Sequence, residues 1–170
     1  MWYWRQWVLS VSCFGYLAHS KGGIMAEINA ISEEIQKELE QLAQKGFVLL
    51  SLSEHTSPPE IVAAITELTR DYRANQRVMD DDVIYALGAL LGWQYVKGLN
   101  WHWGSVVWDF DEANGAIGVL NHDNSLFNNP IGWMDNIMVS EGGVPFMLSY
   151  NMIAAGQTPV FEPNSASGLY

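Results

Sequence analysis

Between Val83 and Phe110 the chain reads VIYALGALLGWQYVKGLNWHWGSVVWDF, and no other stretch is as densely apolar. Val83, Leu87, Leu90, Leu91 and Tyr95 recur every three or four residues, which lines one face of a helix. Ile84 and Trp93 widen that face until little polar surface remains. Such a helix has to be covered on most sides, so the rest of the chain must pack around it. Asp80, Asp81 and Asp82 stand where an N-cap and first-turn acids complement the helix amides, and Lys97 with Gly98 offers the cation and left-handed residue of a C-terminus. Gly88 and Gly92 share one face, four residues apart. Each costs a helix about 1 kcal/mol relative to alanine, and the compensating gain expected is a close backbone approach by a neighbouring element. The apolar core Val83 to Val96 is shorter than the ~20 residues of a membrane span, so no span is predicted.

From Trp101 the period changes to two. Trp101, Trp103, Ser105, Val107 and Asp109 fall on one side of a strand, and His102, Gly104, Val106, Trp108 and Phe110 on the other. Both sides are partly apolar, as for a strand inside a sheet. Asp111 to Gly115, DEANG, reads as a hairpin loop ending in Asn-Gly, with Ala116 to Leu120 as the returning strand.

Further helices follow from local signals. Ile28, Ile31, Ile35, Leu39 and Leu42 form an apolar stripe with acids on the other faces, predicting an amphipathic helix from about Ala26, capped by Gly46. Phe47 to Leu52 is open between a short strand and a loop. Ser57-Pro58-Pro59-Glu60 combines an N-cap, a proline at the first helical position and a capping box, so a helix begins there. Arg70, Arg73 and Arg77 share a face of its last turns. They are placed to pair with Glu67, Asp71 or Asp80 to Asp82, with an anion site as the second reading. Asn128-Asn129-Pro130 closes a polar loop, Ile131 to Val139 has helical spacing, and Val144 to Ala155 is open between helix and strand.

The chain of 170 residues suits one domain, and 49% hydrophobic content with 12% aromatic is ample for a core. After Lys97 no lysine or arginine occurs, while Asp109, Asp111, Glu112, Asp123, Asp135, Glu141 and Glu162 follow. The formal charge of -11 is therefore lopsided. Nucleic acid is not a fitting partner for that half, because such binding depends on cations against phosphates. A basic protein is the partner that fits, since complementary charge speeds encounter; solubility alone also accounts for the acidity.

Met1 to Ser20 has a signal-like outline, with Arg5, an apolar run and Ala18-His19-Ser20. Lys21-Gly22-Gly23 ahead of Met25 can equally be encoded by a ribosome-binding sequence, which makes Met25 the start and residues 1–24 a translated leader. The expected layout is then a leader over 1–24, one domain over 25–155 and a flexible tail over 156–170 rich in proline and serine. The protein is expected in the cytoplasm, or in the periplasm or outside if the first segment is a true signal. Cys13 is the only cysteine, so no internal disulfide is available.

No catalytic residues, cofactor or metal are predicted. His102, His122 and Asp123 are the nearest approach to a metal-dependent hydrolase site, without ligand spacing such as HExxH. Trp93, Trp101, Trp103, Trp108 and Trp133 are another matter, because so small a domain seldom buries five indoles completely and tryptophan is enriched among binding hot spots. The candidate binding residues are Trp101, Trp103, Trp108, Trp133, Asp109, Asp111 and Arg73. The alternative is a small-molecule pocket lined by these tryptophans and reached by Arg73.

From Ala86 to Met138 the order of features resembles a family of small bacterial domains. The carriers are Leu87-Gly88-Ala89-Leu90-Leu91-Gly92, Trp101-His102-Trp103 and Asn129-Pro130 before a short helix. The resemblance covers about a third of the chain and implies an immunity-type protein that neutralises a toxin, with no active site to carry over. The expected fold is α+β, about three helices packed on a small antiparallel sheet.

Overall fold

The computed structural model describes residues 26–109 and 111–169. Residues 1–25, with Cys13, Met25 and the segment expected as a leader or signal, lie outside them. The fold is mixed α+β. Among the described residues it has a strand β1 (Ala26–Ala30), helices α1 (Glu33–Leu50), α2 (Pro58–Ala74) and α3 (Asp81–Leu99), strands β2 (His102–Trp108), β3 (Gly115–Leu120) and β4 (Leu126–Asn128), helices α4 (Pro130–Val139) and α5 (Phe146–Ala154), and a short β5 (Ser167–Gly168).

The helix α3 is the centre of the fold, as its sequence predicts. Residues Ile84 to Gly92 are buried without interruption, along with Gln94 and Tyr95. Helices α1, α2, α4 and α5 and the sheet all pack on it. Its two glycines mark the closest approaches. A Cβ on Gly88 would meet the Ile131 backbone of α4 at 2.6 Å, and one on Gly92 would run into the Trp103 ring of β2 and lie 3.1 Å from Pro130. The helix ends one residue pair later than expected: Asn100, at φ 58°, is the left-handed cap, and Gly98 lies within the last turn. A side chain at Gly98 would collide with the Tyr150 hydroxyl, which accounts for the glycine there.

The expected helix from Ala26 is corrected. Residues 26–30 form a strand paired with β2, Ala26 opposite Trp108 and Ala30 opposite Gly104. The helix starts only after Ser32, whose side chain accepts from the Ile35 amide at 3.3 Å. Ile28, Ile31 and Ile35 fit a helical period, but Ile28 also fits a strand period, and pairing with β2 decides between them. Gly46 is not a cap either; it is buried in α1 against Ala86 and Leu90. The helix runs on to Leu50 and closes at Ser51, at φ 54°, with the Leu52 amide donating to Phe47 O at 3.0 Å. The start of α2 follows the sequence closely, with the Ser57 amide and hydroxyl both donating to Glu60 Oε2, at 3.2 and 2.6 Å.

The sheet has the order β1-β2-β3-β4-β5. Its first three pairings are antiparallel, but β4 and β5 are parallel, so the expected antiparallel sheet under three helices is only roughly right. β5 comes from the segment expected as a flexible tail. The amides of Asn164, Ala166, Ser167 and Leu169 donate to the carbonyls of Asp123, Asn124, Ser125 and Phe127, at 2.9 to 3.0 Å. The backbone, which composition does not report on, docks there.

Both faces of the sheet carry apolar side chains. The register puts Trp103, Val119 and Leu126 on the side of the helices. On the other side Val106, Ala116, Leu120, Phe127 and Ala166 form a second cluster, joined by Ile28 and Trp108. No helix among the described residues is long and apolar enough to cross a membrane.

Candidate functional site

The loop after β2 collects the exposed members of the predicted binding set. Expected as an Asn-Gly hairpin, it is instead a longer connection with a 3-10 turn over Glu112–Asn114, and β3 begins at Gly115 itself. Asp109 bends the chain out of β2 with φ 56°, a left-handed conformation that aspartate tolerates better than most residues. Asp111 then turns it back, its Oδ1 accepting from the Ala113 amide at 3.0 Å and its Oδ2 from Asn114 Nδ2 at 3.4 Å. Both acids are exposed. Glu27 on β1, opposite Val107, exposes a third carboxylate near the same end of the sheet.

Trp108 stands at this end, half-buried. Its Nε1 donates to Ala166 O at 3.2 Å, and its ring meets Phe127 edge-on, centroids 5.2 Å apart. The indole therefore clasps the C-terminal segment while leaving part of its surface beside Asp109.

The other predicted tryptophans are placed elsewhere. Trp101, Trp103 and Trp133 keep only 6%, 9% and 7% of their surface exposed, so they build the core instead of facing a partner. Trp101 packs edge-on against Tyr95 at 5.2 Å, and Trp133 against Phe146 at 4.7 Å. They belong to the cluster on the helix side of the sheet, whereas Trp108 packs against the cluster on its other side. Aromatic spacing in a sequence is the same for a buried cluster and a binding surface, and only burial tells them apart. Arg73 lies on α2, away from the sheet, and donates to Ser140 O at 2.6 Å, tying α2 to the end of α4. Its neighbours are also engaged within the chain: Arg70 pairs with Glu67 at 2.6 Å, and Arg77 pairs with Asp71 and stacks over Tyr72.

His102 and His122 are both exposed near one end of the β2–β3 ladder, since His102 lies opposite Leu120. Asp123 is occupied locally. Its Oδ1 accepts from the Ser125 amide at 3.1 Å, and hydrogen bonds from the Ser125 side chain and amide, with help from His122 and Asn121, hold its carboxyl below the usual aspartate range. No group of three or more His, Cys, Asp or Glu side chains among the described residues converges to hold a metal.

Two features escape the sequence reading. An open groove of about 410 Å³ lies at the end of α1, with Phe47 and Leu52 beside Gln44, Glu54 and His55; Gln44 Nε2 donates to Glu54 Oε1 across it at 3.1 Å. The second lies inside. Asn128 is buried with neither carboxamide atom bonded to protein, and Trp103 Nε1 and Asn129 Nδ2 are buried without partners too. Asn128-Asn129-Pro130 reads as turn formers in sequence, which hides that the first asparagine faces the core.

No protein-family model, curated protein or solved structure matches the chain.

Proposed function

We propose that this chain is a non-enzymatic binding domain for a basic protein, of the immunity type that neutralises a toxin. One observation carries the reading. Every lysine and arginine among the described residues lies on α1, α2, α3 or the turn after α2, whereas the strands, their loops and the last two helices hold none and include Glu27, Asp109, Asp111, Asp123 and Asp135. Three of the cations are further drawn off by contacts within the chain: Arg70 to Glu67, Arg77 to Asp71, and Arg73 to the Ser140 carbonyl. Among the described residues, the end of the sheet at Glu27, Asp109 and Asp111 is thus a carboxylate surface with no lysine or arginine on its own strands or loop, and Trp108 supplies an amphipathic edge beside it. A cationic partner would be drawn to that end over a distance of about a Debye length, ~8 Å at physiological salt.

The test compares the tagged protein with an Asp109→Asn/Asp111→Asn double variant in host extract, at low and high salt. Supporting results are one basic protein recovered at low salt, its loss at high salt and at least tenfold weaker recovery by the double variant. Equal recovery by both proteins, or recovery of no basic protein, defeats the reading.

A further inference from the structure

We propose that the seam between the sheet and the start of α4 is a built internal hydration site, in which one water is held by Trp103, Asn128 and Asn129. Asn128 is 3% exposed and both of its carboxamide atoms lack a protein partner, as do the buried Trp103 Nε1 and Asn129 Nδ2. The strand register sets Trp103 and Asn128 in one row across the sheet. Trp103 lies opposite Val119 and Val119 opposite Asn128, so the two polar side chains flank Val119 in a single row on the helix-facing side. Their backbones are two strand spacings apart, about 10 Å, a gap that an indole and a carboxamide largely span.

The third member enters from the chain that follows. The Cζ2 edge of the Trp103 ring, next to the carbon bearing Nε1, lies against Gly92 together with the Pro130 ring. Pro130 directly follows Asn128 and Asn129. Asn129 spends its side-chain oxygen on the Gly132 amide at 2.9 Å, as the N-cap of α4, which leaves only its nitrogen to bond elsewhere.

The chemistry of the set selects its ligand. Trp103 Nε1 and Asn129 Nδ2 can only donate, while Asn128 offers an acceptor and a further donor. A ligand that accepts from the first two and donates to Asn128 Oδ1 partners three of the four orphaned atoms, Asn128 Nδ2 being the fourth. Water does this with the two to four bonds typical of a buried molecule, at a site polar enough to retain it. The same water ties β2, β4 and the first turn of α4 to one another. Nothing in this depends on the partner proposed above.

A crystal structure fine enough to resolve solvent, together with the melting temperature of Asn128→Leu, tests the site. The expected result is water density within hydrogen-bonding distance of both Trp103 Nε1 and Asn128 Oδ1, and a variant that melts several degrees lower because the water loses its acceptor. A direct Trp103–Asn128 hydrogen bond, no density, or a variant melting at the same or a higher temperature overturns the proposal. If Asn128→Leu does not fold, the wild-type density alone decides.

Discussion

Gly92 of α3 lies against the indole of Trp103 on β2, so close that a Cβ on the glycine would run into ring atoms Cζ2 and Cη2. The helix thereby meets the sheet with no side chain of its own at that point, and the indole fills the space. Gly88, one turn earlier, lets the Ile131 backbone approach in the same way. Together they turn one face of the central helix into a seat for β2 and α4.

Substitutions at this seat test it. Gly92→Ala gains about 1 kcal/mol of helix propensity but overpacks the ring, at about 1–3 kcal/mol. Gly88→Ala should cost more, because its obstruction is backbone that cannot rotate away. Urea denaturation is expected to rank the proteins wild type, Gly92→Ala, Gly88→Ala in falling stability; an alanine variant as stable as wild type would refute the packing account.

The tryptophans should divide by burial. Trp133→Ala removes a core ring and is expected to cost about 3–5 kcal/mol. Trp108→Ala removes a half-buried ring and the hydrogen bond to Ala166 O, and should cost less, while increasing amide exchange at Ser167 and Leu169. Hydrogen exchange checks this; protection unchanged at the C-terminal strand would contradict the clasp.

Arg73→Met is expected to cost about 1 kcal/mol, the worth of one hydrogen bond from a charged donor that is partly solvated. Thermal melts report the loss, and a neutral effect would show that the Ser140 contact does not hold α2 to α4.

Asp135 of α4 gives a pH signature. Burial, and to a smaller extent the charge of Asp81, raise its carboxyl above the ordinary value of 3.8. A raised folded value means that ionisation opposes folding, so stability present below pH 3.8 is lost as pH rises through the folded value. Asp135→Asn should therefore stabilise the fold at pH 7 by less than about 1 kcal/mol after solvent screening, seen as a higher melting temperature. The gain should vanish near pH 3, and melts across that range would detect a gain that persists instead.

Glu60 and Asp123 should act in the opposite sense. Hydrogen bonds from the Ser57 side chain and amide lower the Glu60 carboxyl, and those from Ser125 lower Asp123. Their stabilisation is present above the ordinary values of 4.5 and 3.8 and lost as pH falls through the lower folded values. Glu60→Gln and Asp123→Asn are expected to destabilise at pH 7 and to approach wild type near pH 2; a pH-independent difference would point to packing instead.

The sequence by itself determined what is encoded locally. The α3 stripe, the Ser57 to Glu60 start of α2, the strand period from His102 to Trp108 and the helix after Asn129-Pro130 all rest on neighbours within a few residues. They appear where those neighbours put them. The engagement of Arg70 and Arg77 with Glu67 and Asp71 was legible for the same reason. Tertiary structure decided whatever needed a partner far along the chain. Residues 26–30 are a strand because β2 offers a ladder, and residues 167–168 are a strand because β4 does. Trp101, Trp103 and Trp133 face inward because α3, α4 and α5 close over them, while among the described residues Trp108 stays half-buried and Asp109 exposed. A side chain's period names its face, but which face is covered depends on the elements that arrive there.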